Sequence, residues 1–301
     1  MSQAINNVSR FLMGFAVAAI TSTTVYAQAA YPNRPVRLVV SQQAGGSSDT
    51  IARMWADSVG KSIGGTVVVE NKPGAGGIIA AQYVLGQPAD GYTLFFGGVS
   101  QMVFNRFTYK SLPYSPEKDF TGVGMLTTVP FILVTNPATG IKSLNELTQR
   151  AKAAPGKLNF PFKGEPDGVM STIGGQTEVM APVFGTALPH IRNNKLVPLA
   201  VIAPQRLNEL PDVPTAAELG VKGFDTMGWS GIVARSGTPA GLVDKLHKAT
   251  EEFHKNPEVR AKLKGMGVIP LTGPASLLME TTARDMKAWG PTLETLNLSS
   301  Q

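Results

Sequence analysis

The sequence contains no cysteine, and that absence removes disulfides, thiol nucleophiles and thiolate metal sites together. Histidine is almost as scarce. His190, His247 and His254 are the 3 in 301 residues, and only the last two share a helical spacing, where a solvated face is the expectation. Charged residues make up 16% of the chain, with a net charge of +6, but lysine and arginine are scattered. No basic run with interleaved aromatics is present, which speaks against nucleic acid. Low-complexity segments are also missing, and nothing after the N-terminus is apolar for long enough to span a bilayer. No P-loop, HExxH or Asp-rich calcium loop occurs.

The near misses point the same way. In GWSGI, Ile232 stands where a nucleophile elbow needs glycine, and in GAGGIIA, Ile79 replaces the third glycine of a dinucleotide loop. The expectation is therefore a non-enzymatic protein without cofactor or metal; an exported hydrolase is the alternative from another class.

At the N-terminus, one positive residue, Arg10, precedes the apolar stretch Phe11 to Ile20, and small residues follow around Ala27 and Ala29. This is the layout of an export signal over residues 1–29, with a mature chain outside the inner membrane. Hydrophobic residues make up 43%, and the 32 glycines and 22 prolines are spread along the chain, so a globular protein with many turns is expected.

The rest alternates strand and helix. RPVRLVV (Arg34 to Val40), GGTVVVENKPG (Gly64 to Gly74) and YTLFFGG (Tyr92 to Gly98) read as buried strands. Between the first two, Ile51, Met54, Trp55, Val59 and Ile63 form one apolar helical face. Phe131 to Pro137, Leu196 to Pro204 and the segment from Gly228 repeat the strand pattern, with a helix over Ser143 to Ala154. Thr238 with Pro239, and Asn256 with Pro257, have the form of helix starts, and Met279, Met286 and Trp289 mark a packed face on a last helix near Pro274. The class is α/β, in two lobes built on mostly parallel sheets.

One loop suggests a task. Gly45 and Gly46 allow close backbone approach, Ser47 and Ser48 offer hydroxyls, and the amides of Ser48 to Thr50 are expected to be open at a helix N-terminus. Such a terminus holds a carboxylate without lysine or arginine; an ordinary capped turn is the plainer reading of the same residues. Two further glycine-rich loops, Gly74 to Gly77 and Gly97 to Ser100, should emerge at the same carboxyl edge of the sheet.

The order GGSSD, VVVENKPGAGG, DGYTLFFGG with Asn105, PFKG, GGQ, ALPHI, LPDVPTAAELG and a final GTP before a helix resembles the Bug family, the extracytoplasmic solute receptors of tripartite tricarboxylate transporters. The resemblance implies a two-lobed periplasmic-binding fold with hinge strands that closes on a small carboxylate and hands it to membrane permease subunits, as a monomer in the periplasm. It implies lobe one over residues 30–130, lobe two over 131–230, and a hinge strand with C-terminal helices over 231–301 packing back on lobe one. By the same resemblance the ligand residues are Gly46, Ser47, Ser48, Asp49, Gly76, Gly77, Gly98, Ser100 and Asn105. Asp49 itself reads better as a first-turn acid favouring the helix dipole than as a partner for an anion.

The chain departs from the family pattern in several places. Ser41-Gln42-Gln43-Ala44 replaces an apolar lead into the first loop, Ile78 stands where an amide side chain is common, Val99 and Gln101 replace small hydroxyl residues, and Phe162 replaces a tyrosine. In lobe two, Ala181 to Phe184 are all apolar, and Phe160 runs straight into Pro161 where the pattern has a loop, helix and strand. A lobe two short of one strand and its covering helix, an exposed sheet edge, and weakened or absent ligand binding are the expectations. A degenerate, non-binding derivative of the receptor is thus a further alternative.

Overall fold

The computed structural model describes residues 31–160, 165–221 and 227–295. The expected export signal and the PFKG segment with Phe162 lie outside the described residues.

The first sheet begins with β1 (Val36–Val40), whose side chains are almost all buried. Helix α1 (Ser47–Ile63) follows, and its predicted apolar face buries Ile51, Trp55, Val59 and Ile63 against the sheet. Gly64 ends it in the left-handed conformation, as a glycine after the last turn allows. Next come β2 (Val67–Asn71), α2 (Ile78–Leu85) and β3 (Thr93–Gly98). A wide helical turn over Ser100–Phe104 runs into the short α3 (Asn105–Thr108), and α4 (Pro116–Asp119) precedes the ten-residue β4 (Phe120–Val129).

Pro130 separates β4 from β5 (Phe131–Thr135), and there the chain passes to the second sheet. That part contains α5 (Leu144–Ala153), α6 (Glu165–Ile173), β6 (Val179–Met180), α7 (Phe184–Arg192) and β7 (Val197–Ile202). Ser143 caps α5 by accepting from the Glu146 amide at 3.2 Å. The chain then returns through β8 (Gly228–Arg235) and ends in α8 (Ala240–Lys255), α9 (Pro257–Gly265), β9 (Ile269–Pro270) and α10 (Leu277–Thr295). Among the described residues no helix is long and apolar enough to cross a membrane.

The strand orders are β2-β1-β3-β8-β4-β9 and β6-β5-β7. Two α/β lobes are present, but the expectation of mostly parallel sheets is corrected. Parallel pairing between these strands is confined to β2-β1-β3; β8 is antiparallel to both β3 and β4, and the second sheet is antiparallel throughout. The reason lies in the hinge. A chain that leaves one sheet along β4 and returns beside it along β8 runs in opposite directions on adjacent strands.

Around Phe160, where a shortened lobe two is expected, the chain is irregular. Lys157 to Phe160 form no strand; the Asn159 carbonyl accepts from the Glu178 amide at 3.2 Å and from the amide of Val179, the first residue of β6, at 3.4 Å. Beside it lies a surface groove of about 590 Å³ lined by Leu147, Ala151, Leu158, Phe160 and Val179. Phe160 is 48% and Met170 60% exposed, large values for apolar side chains.

One of the two expected helix starts needs a small correction. Asn256 caps α9 through the amides of Glu258 and Val259 with Pro257 in the first turn, as its sequence suggests. Thr238 does not cap α8; its hydroxyl donates to the Arg235 carbonyl, and Pro239 holds the capping position.

The larger correction concerns the histidines. His247 and His254 face inward from α8, with Nδ1 of His247 at 2.8 Å from the Val123 carbonyl and Nε2 of His254 at 3.0 Å from that of Met125. Register shifts in β4 against β8, between Gly122 and Gly124 and between Met125 and Thr127, interrupt the ladder at these points. Two imidazoles two turns apart on one helix therefore tie α8 to the bulged strand. Burial pushes the His254 imidazole below its ordinary value of 6.5. The unfolded chain then takes up this proton first, so the contribution of His254 is complete above pH 6.5 and is lost as pH falls below it. The melting temperature should drop on acidification from pH 7 to about pH 5, and the drop should be smaller in His254→Gln; equal drops in scanning calorimetry would contradict this role.

Candidate functional site

A cleft of about 370 Å³ lies where the two sheets meet. From the first-sheet side it is lined by Gln42, Ser47, Ser48, Gly98, Ser100 and Gln101. The hinge strands contribute Thr127, Phe131, Trp229 and Ser230, and α7 contributes Gly185 and Thr186. No Lys, Arg, His, Asp or Glu is among the described residues that line it. Whatever electrostatic preference the cleft has must come from backbone and neutral polar groups.

Those groups are arranged at two helix N-termini. Gly46 caps α1 without a side-chain bond, and the first amide taken within the fold is that of Thr50, which donates to the Gly46 carbonyl at 3.0 Å. The open amides are thus those of Ser47, Ser48 and Asp49, one residue earlier than the sequence suggests. The hydroxyls of Ser47, Ser48 and Ser100 make no hydrogen bond among the described residues. Opposite them, the first turn of α7 presents Gly185 and Thr186. A Cβ on Gly185 would lie 2.2 Å from the Met266 carbonyl oxygen, so only glycine lets α7 approach the turn after α9 this closely. Between the two ends the hydroxyls of Thr127 and Ser230 bond each other at 2.8 Å. The positive ends of two helix dipoles therefore face one uncharged cleft, a setting that favours an anion.

Of the residues expected to touch ligand, Ser47, Ser48, Gly98 and Ser100 line this cleft, and the others sit behind it. Gly46 is the cap at its edge. Asp49 turns inward: its carboxylate accepts from the Gly45 amide at 2.9 Å, from Arg53 Nε at 2.9 Å and from Asn71 Nδ2 at 3.0 Å. These bonds, that of Arg53 foremost, hold its carboxyl down at about 2. Asn105 is buried, donating to the Gly76 carbonyl at 3.1 Å and to the Tyr114 hydroxyl at 3.3 Å. Gly76 and Gly77 form the tight turn that this bond fixes, both with positive φ. The polar groups of Asp49 and Asn105, and the space beside Gly76 and Gly77, are already committed within the fold.

Thr127, Thr186, Trp229 and Ser230 were not legible as site residues. Hinge crossing and lobe contact bring them together, and neither leaves a local signal. Trp229 is held by a bond from its indole to Asp285 on α10 at 2.8 Å.

A second cavity, about 680 Å³, is larger and opens elsewhere, beside α9 and the segment after β7. It carries Arg206, Arg260, Lys264 and Glu209 over an apolar floor of Phe184, Met227 and Ile269. Size alone does not decide the site. The smaller cleft has the convergent open amides and hydroxyls of a ligand pocket, whereas Arg206 in the larger one is already bonded to Glu218 at 2.9 Å.

The two-lobed α/β fold with such a cleft at its hinge defines a periplasmic solute-binding protein. The family model described as "Tripartite tricarboxylate transporter family receptor" matches residues 51–160 and 159–298, and the chain belongs to that family, among its Bug-type receptors. The protein BugT of Bordetella pertussis is 30% identical over 287 residues, covering 86% of this chain and 88% of its own. A protein encoded 5′ of gbd in Cupriavidus necator is 30% identical over 322 residues, with 97% of each chain covered. Among solved structures, MatC from Rhodopseudomonas palustris with bound malate has a TM-score of 0.79 at 28% identity, covering 88% of this chain and all of that one. The R. palustris protein Rpa4515 with adipate has a TM-score of 0.79 at 27% identity, covering 88% and 98%. The two family segments meet at Phe160. The 322 aligned positions of the Cupriavidus relative exceed the 301 residues here, so at least 21 have no counterpart.

The inward role of Asp49 makes a direct prediction. Asp49→Asn removes a charged acceptor from three donors and should lower stability at pH 7 by on the order of 1–3 kcal/mol. The native carboxyl titrates at about 2 against 3.8 unfolded, so its stabilisation is present above 3.8 and is lost as pH falls toward 2. Urea unfolding at several pH values should accordingly find the two proteins converging as the medium is acidified through that window.

Proposed function

We propose that this chain is a periplasmic receptor that binds a small carboxylate in the hinge cleft and presents it to the permease subunits of a tripartite transporter. The observation that carries this reading is the cleft itself: two helix N-termini and free serine hydroxyls converge where no charged side chain is found among the described residues. The relatives with bound malate and adipate support a carboxylate as ligand class. Ser47, Ser48 and Ser100 take the anionic head from the first lobe, Gly98 lines the wall beside them, and Gly185 and Thr186 meet the ligand from the second. The lobes divide at Pro130 and near Met227, the two crossings of the chain, and closure about them brings α7 onto the ligand. The protein acts as a monomer without catalysis, exported by its N-terminal segment.

Lobe two, expected to lose its ligand contacts, still lines the cleft through Gly185 and Thr186 of α7. The interruption at Phe160 still favours a shortened second lobe, since the groove beside β6 lies where the sequence breaks from the family pattern. Grafting the corresponding segment of the Cupriavidus relative after Phe160 should cover that apolar surface. A gain of about 1 kcal/mol would appear as roughly 2–4 °C in melting temperature; an unchanged or lower value would mean that the surface is already adequately solvated.

A single substitution tests the anion site. Position 47 is the first of α1 and follows an extended residue, Gly46 at φ −79° and ψ 173°, so proline is sterically welcome there. Ser47→Pro deletes one open amide and one hydroxyl while leaving the helix intact. Melting should change by no more than about 2 °C, whereas affinity for a binding carboxylate should fall by roughly tenfold to a hundredfold. The ligand is first found by a thermal-shift panel of carboxylates, in which stabilisation must grow with ligand concentration. No shift with any carboxylate, alongside turnover of a chromogenic ester, would favour the hydrolase instead.

A further inference from the structure

We infer that Gln101 sets the length of ligand this cleft accepts, by filling with its own side-chain amide the space between the second and third glycine loops. The inference rests on the carboxylate reading of the cleft. Gln101 is 5% exposed and yet lines the cleft. Its Oε1 accepts from the Gly98 amide at 3.2 Å, and its Nε2 donates to the Gly76 carbonyl at 3.1 Å. One primary amide thus satisfies a donor on one loop and an acceptor on the other. The amide of Gly98, which a ligand oxygen could otherwise use, is already occupied.

The packing around this side chain is close. Gly77 has φ 95°, and a Cβ there would lie 2.7 Å from Cγ and 2.8 Å from Nε2 of Gln101. The second loop has come up against the side chain as far as backbone allows, and no ligand atom fits between them. Gln101 is held from behind as well, its carbonyl accepting from the Tyr114 hydroxyl at 2.7 Å. Burial pushes that phenol up to about 12, so it remains a donor across ordinary pH. Asn105 bonds both Tyr114 and the Gly76 carbonyl, which closes the network. Gln101 is therefore a fixed wall rather than a swinging side chain. A ligand seated on the N-terminus of α1 can extend along Thr127 and Ser230 toward α7, but not toward the glycine loops.

Replacing this wall with a short hydroxyl should free the Gly98 amide and lengthen the cleft. The test is calorimetric titration with the dicarboxylates succinate, glutarate and adipate. The unmodified chain should prefer the shorter members. In Gln101→Ser the ratio of adipate to succinate affinity should rise about tenfold, the worth of one hydrogen bond to a charged acceptor plus the added room. Gln101→Met, similar in volume and unable to bridge the loops, should weaken all three ligands while keeping the original ratio. Should Gln101→Ser fail to fold, Gln101→Asn should move the ratio the same way by less. Binding retained by the serine variant with an unchanged ratio, or an equal shift in the methionine variant, would overturn the role of Gln101 alone. If no dicarboxylate bound any form, the carboxylate reading would fall and this inference with it.

Discussion

In a cleft lined by no charged side chain among the described residues, an anion would have to be met by hydroxyls and backbone amides, and amides cannot swing to meet a ligand as lysine or arginine can. Their positions must be fixed in advance. Much of the polar chemistry around the cleft serves that constraint. Asp49 fastens the first loop to Arg53 and to Asn71 at the end of β2. Gln101 and Asn105 fasten the second and third loops to each other, and Tyr114 backs both. Buried polar groups of this kind stabilise only when fully satisfied, and here nearly all their atoms are bonded. The exceptions beside the first loop, Ser41 Oγ and Gln42 Oε1, have no partner among the described residues.

The same fixing is needed at the hinge, where flexibility and definition compete. β4 and β8 lie side by side in the first sheet and carry the chain in and out of the second. Helix α8 is tied to β4 by two imidazole bonds, and α10 holds β8 through Trp229 and Asp285. Both hinge strands are thus anchored on the first lobe, with Pro130 and Met227 at the two crossings to the second. A receptor that reports occupancy by closing requires this asymmetry, with one lobe rigid and the other carried on two short connections.

The sequence was most readable where physics is local. The apolar stripe of α1, the glycine after it and the Asn256-Pro257 start of α9 all stand in the structure as their residues suggest. Local rules also reached the uncapped start of α1, where Ser47 and Ser48 line the cleft. They failed for β4, whose Gly122 and Gly124 hide a ten-residue strand that is stabilised by its neighbours rather than by its own propensity. They failed again for His247 and His254, since their partners are carbonyls more than 120 residues away in sequence. Sheet direction was misread for a related reason: alternating strand and helix suggests parallel pairing, but it contains no record that β8 returns between β3 and β4. Asp49 stands as the inward first-turn acid its position suggests, whereas the bonds of Asn105 to Gly76 and Tyr114 left no local signal, because a motif fixes which residues are near a cleft and not which of them face it.

The most direct measurement of the central claim is a two-dimensional amide spectrum recorded while malate is added. Amide protons bonded to a carboxylate move downfield, so the largest downfield shifts are expected at Ser47, Ser48, Asp49 and Gly185, the open donors of the two helix starts. Shifts confined instead to residues around Arg260 and Lys264 in the larger cavity would contradict an anion site built from backbone.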